Sequence, residues 1–368
     1  MNIAFAITKY FPHGGSQRDC LALAQILTDQ GHDITIFTTE WTGERPNQIT
    51  VEILPVSAKT NHTLNARFSK ALRARMQRGG FAGVVGFNKL EGLDIYFVAD
   101  ICLAPSVKGI KAWLPRYRTL TRLEEAVFGG GSDTYHLFLT QLQSDQYAKH
   151  YGAGDHGSVV LPPLFDPAHA APVDAAKARQ DIRTEIGVDE TSLLLVSVAA
   201  QIKTKGVDRV LDSLSDLPGV IFLSVGLNDG HKLGNRAGKL GLEGRVRILG
   251  QRDDIPRILC AADLMVHPAR KENTGAVILE SLICGTPVVC SAACGNAVFV
   301  EKSGAGLVVP EPFERHKFVR AVSDCLKPAK LSALRKSARN WQKKRKPFNG
   351  REVAAREIVR ELTRRHGS

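Results

Sequence analysis

Short apolar runs alternate along this chain with stretches in which apolar residues recur every three or four positions. In the first half the strand-like runs are NIAFAIT, DITIFTT, ITVEILPV, AGVVGF, IYFVADI, HLFLT and SVVLPP. In the second half they are SLLLVSVAA, VIFLSVG, VRILG, LMVHPA, PVVCSA and GLVVPE. Most of these runs are apolar at successive positions rather than at every second one, the pattern of strands covered on both faces. Helix-period segments lie between most of them, the clearest from about Ser16 to Gln30 with Gly31 behind it. In the second half the connecting helices are expected to start near Lys205, His231, Asp253, Thr274 and Asn296. The alternation predicts an α/β protein built on doubly wound, Rossmann-like parallel sheets flanked by helices.

With 368 residues the chain exceeds one ordinary core and suits two such domains. The stretch LPPLFDPAHAAPVDAAKA is rich in proline and alanine and marks the boundary near Pro163–Asp166. The expected division is an N-terminal domain over 1–162, a C-terminal domain over 163–346, and a basic helix over 347–368 that packs back on the first domain. The segment from Leu331 to Ser368 is helical in composition and interrupted at Pro347 and Gly350. No run of eighteen apolar residues is present, so no membrane-spanning helix is expected. MNIAFAITKYFP turns polar too soon for a signal peptide and reads as a first strand. Seven scattered cysteines with no C-x-x-C pair suit a reducing cytoplasm and offer no zinc site.

The net charge of +12 is unevenly placed. Residues 327–368 hold fourteen Lys and Arg against three Glu. Between Glu52 and Glu124 stand twelve Lys and Arg, from Lys59 to Arg122, against Glu91, Asp94 and Asp100. Such regions call for an anionic partner: nucleic acid, a lipid surface or a phosphorylated substrate. The segment VKGIKAWLPRYRTLTR surrounds Trp113, Leu114 and Tyr117 with Lys108, Lys111, Arg116, Arg118 and Arg122, the composition of a peripheral contact with an anionic membrane. Nucleic acid is not expected, because no RNA-binding signature accompanies the charge and two full α/β domains would be superfluous.

The chemistry concentrates in HPARKENTGAVILESLICGTPVVCS, residues 267–291, where Glu272 and Glu280 stand eight positions apart. Asn273, Thr274 and Gly275 are small or polar, so a helix is expected to begin there with Asn273 or Thr274 as cap. Gly285 ends that helix and Pro287 opens the next strand. One carboxylate thus sits on a loop at the sheet's carboxyl edge, where ligands of open α/β sheets bind, and the other two turns along the departing helix. Helix-start amides suit a phosphate and carboxylates suit sugar hydroxyls, a combination that fits a nucleotide sugar. After the first strand, Gly14 and Gly15 should allow positive φ and a close backbone approach to the nucleotide sugar, and Asp19, expected on the first turn of the following helix, is a candidate catalytic residue together with Asp100. Asp19 there either favours the helix dipole, pairs with Ser16 as a cap, or meets a substrate hydroxyl. In SVAAQIKTKGVDRVLDSL, Lys205 and Gly206 stand at a helix start, where Lys205, assisted by Lys203, can neutralise a diphosphate. Gly250 and Gln251 are placed to border a nucleobase, and Asp253 reads as a helix cap. No G-x-G-x-x-G follows either domain's first strand, against a dinucleotide oxidoreductase.

The E-x7-E spacing followed by GTPVV resembles the retaining glycosyltransferases of family 4, which have the two-Rossmann-domain GT-B architecture with the domains facing a cleft. The K-G turn at Lys205 and GQRDDIPRILCAADLMVHPA carry the same resemblance. KYFPHGGSQRD, TNHTLNARF and VVGFNKLEGLDIYFVADICLA are similar to the enterobacterial lipopolysaccharide core glucosyltransferases, over residues 1 to about 345. The resemblance implies transfer of glucose from UDP-glucose to an inner-core heptose, with the sugar nucleotide as donor substrate, no cofactor and no metal. It implies Lys205 at the leaving diphosphate, Glu272 at the donor sugar and Glu280 at the ribose, with Asn273, Thr274 and Gly275 lining the donor site. Asp100 takes a position where many members carry a histidine. Ala199, Ala200 and Gln201 stand where an arginine is usual, so that Lys203 is the replacement cation. A phosphorylated, lipid-linked acceptor and a peripheral place on the inner face of the bacterial inner membrane complete the expectation. The alternatives are a glycosyltransferase for another envelope glycan with a different sugar nucleotide, a double-Rossmann epimerase, and a non-catalytic binding protein.

Overall fold

The buried strands assemble as their apolar runs require. In the computed structural model, residues 1–12, 14–107, 109–152, 157–165, 170–171, 174–344 and 348–366 are described; Lys108, Asp166 and Pro347 lie outside them. Two compact units result, one of Met1–Leu164 with Phe348–Ser368 and the other of Phe165–Pro347.

In the first unit the strands are β1 (Asn2–Ala6), β2 (Asp33–Thr38), β3 (Thr50–Ile53), β4 (Gly83–Gly86), β5 (Ile95–Val98), β6 (Tyr135–Phe138) and β7 (Ser158–Val160). They form one parallel sheet in the order β3-β2-β1-β4-β5-β6-β7. Helices α1 (Gly15–Asp29), α2 (Asn61–Met76), α3 (Pro115–Phe128) and α4 (Gln141–Tyr151) make the crossovers. Phe5, Phe87 and Phe97 pack on one face of the sheet, and Phe37, Phe68, Tyr96 and Phe128 on the other.

The second unit begins with α5 (Ala175–Glu185) and carries β8 (Leu193–Val198), β9 (Val220–Val225), β10 (Val246–Leu249), β11 (Leu264–His267), β12 (Val288–Ser291) and β13 (Gly306–Val309). Its parallel order is β10-β9-β8-β11-β12-β13, so chain direction across the sheet reverses between β8 and β11. The crossovers are α6 (Val207–Ser213), α7 (Gly230–Lys239), α8 (Ile255–Ala261), α9 (Ala276–Ile283) and α10 (Ala297–Ser303). Helices α11 (Arg315–Leu326) and α12 (Pro328–Lys344) follow, and α13 (Gly350–His366) belongs to the first unit, against α1. Both sheets are of the Rossmann type expected from the sequence.

Several helix starts differ from expectation. Helix α9 is capped by Gly275 at φ 75°, with no side-chain cap; Asn273 and Thr274 precede it, and Glu280 is its fifth residue, one turn in rather than two. Helix α8 starts after Asp254, whose carboxylate takes Arg252 Nε and Nη2 at 2.8 Å each, so Asp253 is not its cap. Gly14 lies at φ −83° and Gly15 opens α1, so neither needs positive φ. Gly14 is sterically confined instead: a β-carbon there would stand 1.9 Å from Gln17 Oε1 and 2.8 Å from Phe11 Cε2. Asp19 lies beyond the first turn of α1, and Ser16 caps nothing.

One buried carboxylate ties the second unit together. Asp263, between α8 and β11, accepts from Leu194 N and Arg183 Nη2 at 2.7 Å, Arg179 Nη2 at 3.0 Å and Arg335 Nη2 at 2.5 Å. Arg183 is wholly buried yet satisfied, since it also donates to the carbonyls of Ala261, Asp189 and Ser192. The cluster fixes α5, α12 and the head of β8 to one point. Removing one member of such a group strands the others, so Asp263→Ala should lower stability by about 3–5 kcal/mol in urea unfolding. An unchanged midpoint would show that the helices hold without it.

Candidate functional site

The strand order reverses between β8 and β11, the place beyond whose carboxyl ends open α/β sheets bind ligands, and the loops that carry Lys205 and Glu272 leave from there. The loop after β8 carries Lys203, Lys205 and Gly206. The loop after β11 carries Pro268 through Gly275. The two loops touch at Gly206, whose φ is 73° and where a β-carbon would lie 1.9 Å from the carbonyl oxygen of Pro268. Arg270 stitches them further, donating from Nη1 to Lys203 O at 2.6 Å and its own amide to Thr204 O at 2.9 Å. Asp208, buried on α6, takes Arg270 at 2.7 and 3.1 Å and Lys203 Nζ at 3.1 Å. Burial works against that charge, but the Arg270 and Lys203 hydrogen bonds outweigh it and hold the Asp208 carboxyl below its usual range. Arg209 donates to Pro268 O at 3.0 Å and lies 3.9 Å over the Phe313 ring.

Lys205 Nζ reaches Glu272 Oε2 at 2.6 Å, and His267 Nε2 reaches the same oxygen at 3.0 Å. Glu272 is mostly buried, which opposes its ionisation. The His267 hydrogen bond and the Lys205 charge prevail and bring its carboxyl from 4.5 down to about 2. Its backbone also bridges to Cys294 in the loop after β12. Beyond it, Asn296 N and Nδ2 hold the carbonyls of Thr274 and Gly275 at 2.8 and 3.3 Å. Gly275 needs its left-handed conformation here, and a β-carbon would crowd Glu272 Cγ at 3.2 Å. Glu280 is buried on α9. Gly250 and Gln251 are exposed at the end of β10, the sheet's edge strand. Among the described residues no cluster of His, Cys, Asp and Glu could hold a metal ion.

In the first unit Asp100 follows β5, and its carboxylate accepts from Tyr96 OH at 3.1 Å. Its carbonyl is fixed by Gln143 Nε2 at 2.9 Å and Tyr147 OH at 3.3 Å. The loop after it is anchored by Glu124, fully buried on α3, which accepts from the amides of Leu103 and Ala104 at 2.9 and 3.1 Å, from Tyr151 OH at 2.8 Å and from Lys89. Asp19 is engaged by Arg351 of α13 at 2.9 and 3.1 Å, a partner far away in sequence. His267, Asp208, Arg270 and Arg351 had not been singled out from the sequence. Only His267, the last residue of an apolar strand and five before a predicted site glutamate, left a usable signal.

Residues 178–345, much of the second unit, match the family of group 1 glycosyl transferases. Over 93% of its length the chain is 33% identical to the lipopolysaccharide glucosyltransferase WaaG of Escherichia coli K12, covering 94% of that protein. The chain belongs to the group 1 glycosyltransferases. The crystal structure of WaaG, a glycosyltransferase involved in lipopolysaccharide biosynthesis, superposes with a TM-score of 0.89 at 32% identity over 96% of this chain and 98% of that one. The Anabaena protein HepE in complex with UDP-glucose shares the fold, with a TM-score of 0.74 at 19% identity over 98% of this chain and 99% of that one. The protein is thus a GT-B glycosyltransferase.

The depressed Glu272 carboxyl makes a pH-dependent contribution to stability. Its folded value of about 2 lies below the ordinary 4.5, so the contribution is present above about 4.5 and is lost as pH falls through about 2. Compared with Glu272→Gln, the wild type should be more stable near neutrality by on the order of 3 kcal/mol, an advantage that narrows steadily below about pH 4.5. Urea unfolding of both proteins across that range measures it. A difference independent of pH would show that Glu272 is not held as an ion.

Proposed function

We propose that this glycosyltransferase transfers glucose from UDP-glucose to an inner-core heptose of lipopolysaccharide, with retention of anomeric configuration and without a metal. The full-length identity to WaaG carries the acceptor and sugar, and the Lys205–Glu272–His267 cluster at the strand-order reversal supports the donor site. In this reading the diphosphate binds at the turn of Lys203–Gly206, where Lys205 neutralises charge as the glycosidic bond breaks. Glu272 accepts hydrogen bonds from hydroxyls of the glucose and holds its orientation. Glu280 accepts from the ribose diol, and Asn273, Thr274 and Gly275 line the donor, with Gly250 and Gln251 bordering the base. Attack comes from the face the nucleotide leaves, and the departing phosphate oxygen takes the acceptor proton, so no side chain has to act as a base. The positions of Asp100, fixed at β5, and Asp19, near the start of α1 beside Gly14 and Gly15, fit an acceptor role. A heptose-containing core acceptor should release UDP from UDP-glucose in excess EDTA, with little release from GDP- or ADP-sugars, and NMR of the product should show the donor's anomer. Inversion, or donor conversion without acceptor, would exclude the mechanism. Glu272→Ala and Lys205→Ala should each lower turnover at least ~100-fold in a folded protein.

The acceptor reading includes a place on the cytoplasmic face of an anionic membrane. No helix among the described residues is long and apolar enough to cross one. Support for peripheral docking comes from residues 109–118, where Ile110, Trp113 and Leu114 are exposed, Trp113 to 80%. Lys111, Arg116 and Arg118 are exposed beside them, with no carboxylate in ion-pair range among the described residues. Each such cation near an anionic surface is worth about 1 kcal/mol, enough together for reversible docking. Replacing Lys111, Arg116 and Arg118 with Ser should weaken binding to anionic vesicles roughly 100-fold, and salt should weaken the wild type in the same direction. Equal co-sedimentation with neutral vesicles would assign the cations to the acceptor's phosphates instead.

A further inference from the structure

Two donors share one oxygen of Glu272, and they differ in how they are held. Lys205 stands on a loop with a flexible stem and a partly exposed side chain. His267 is nearly inaccessible, at 1% exposure, and is part of the sheet itself: in the register of β11 and β12 it pairs with Cys290. Its carbonyl accepts from Ala269 N at 2.9 Å. An ionised carboxylate has no hydrogen to give, so His267 Nε2 carries the proton of the 3.0 Å bond. Both bonds fall on Oε2, and among the described residues none falls on Oε1. Oε2 is therefore the oxygen that the protein's own donors hold.

We propose that His267 is the positioning residue of the donor site, the fixed brace that holds Glu272 oriented when Lys205 turns from it to the donor diphosphate. This rests on the reading of Glu272 as the ligand of the donor sugar. Without donor, Lys205 and Glu272 neutralise one another. A diphosphate at the Lys203–Gly206 turn offers the ammonium more negative charge than one carboxylate does, and Lys205 is the partner with the freedom to move. Glu272 then keeps the N–H of a side chain anchored in a buried strand. A carboxylate so held presents Oε1 to the sugar without losing side-chain rotamer freedom at each turnover. His267 touches no substrate in this arrangement and acts only through Glu272.

The test is a double-mutant cycle with His267→Leu, His267→Gln and Glu272→Ala, all made in the full chain and checked for thermal unfolding. His267→Leu should lower kcat/KM for UDP-glucose about 10- to 100-fold, with the KM for acceptor unchanged. Affinity for UDP alone, measured by calorimetry, should stay as in the wild type, because the brace serves the sugar. His267→Gln should recover most of the loss, since its Nε2 can donate to the same oxygen. In the Glu272→Ala background, His267→Leu should have no further effect. Additive losses, or equal weakening of UDP and UDP-glucose, would overturn the proposal and make His267 a packing residue. If Glu272→Ala itself transferred normally, the underlying donor-site reading would fall. If Glu272→Ala were impaired and His267→Leu were not, the brace alone would fall.

Discussion

The close approach of Gly206 to the carbonyl of Pro268 is the constraint on which the donor-side geometry rests. Any side chain at 206 would place its β-carbon 1.9 Å from that oxygen, against backbone that has no room to yield, and at a φ that L-residues rarely adopt. With glycine there, the loops leaving β8 and β11 can lie in contact. Lys205 on one and Glu272 on the other then come within 2.6 Å. The Arg270–Asp208 pair reinforces the same contact from the other side, joining the second loop to α6. The site is thus a consequence of sheet topology, which brings two loops to one edge, and of one residue without a side chain, which lets them meet.

The sequence showed the fold clearly for a physical reason. Parallel strands covered on both faces must be apolar at nearly every position, and most of the β-strands described here lie in runs that read that way; the edge strands β3 and β10 keep a charged residue each. Helix starts were harder to read. Thr274 and Asp253 have the side chains that cap helices, yet α9 begins from Gly275 and α8 from Asp254, because backbone φ and an Arg252 partner decided the local geometry. Gly14 and Gly15 illustrate the converse, since glycine suggested positive φ while the requirement is for space around Gly14. The paired glutamates were visible as a local spacing. Asp208 and Arg351 were not, because each gains its meaning from a partner on another element. Arg351 meets Asp19 across 332 positions, a separation no local pattern can encode.

Charge distribution separates cations that serve the fold from cations left for partners. The excess of basic residues in the last 42 positions suggests an anionic ligand when counted along the chain. In the structure Arg335 is committed to Asp263, Arg351 to Asp19, Arg360 to Glu357, and Arg364 and Arg365 to Glu361. The first two pairs attach α12 and α13 to their units, as do Arg360 on the Tyr135 hydroxyl and Arg365 on Asp94, whereas the Glu357 and Glu361 pairs lie within α13 itself. The cations around Trp113 are of the other kind. They sit on an exposed segment leading into α3, and the buried end of that helix carries Glu124, which grips the loop after Asp100. Helix α3 therefore joins an exposed cationic surface to the backbone of a candidate acceptor loop through one desolvated carboxylate. Burial and that carboxylate together push the Tyr151 phenol upward, so it stays a hydrogen-bond donor to Glu124.

In the candidate site the buried Glu272 carboxylate is matched by Lys205 and His267. A desolvated Glu272 alone would favour protonation, and a lysine alone at a helix start would meet like-signed partial charge from the amides. With His267 and Lys205 beside it, the Glu272 carboxyl is brought down to about 2 despite its burial. In the proposed reading, donor binding exchanges partners instead of introducing new unpaired charge: the diphosphate takes the lysine, the sugar hydroxyls take one carboxylate oxygen, and the histidine in the strand keeps the other. A second cation on a flexible stem in place of His267 would be drawn to the same diphosphate and would leave Glu272 uncompensated. An imidazole carried on a buried strand residue cannot follow, so in the proposed reading the carboxylate stays aimed while the lysine turns to the diphosphate.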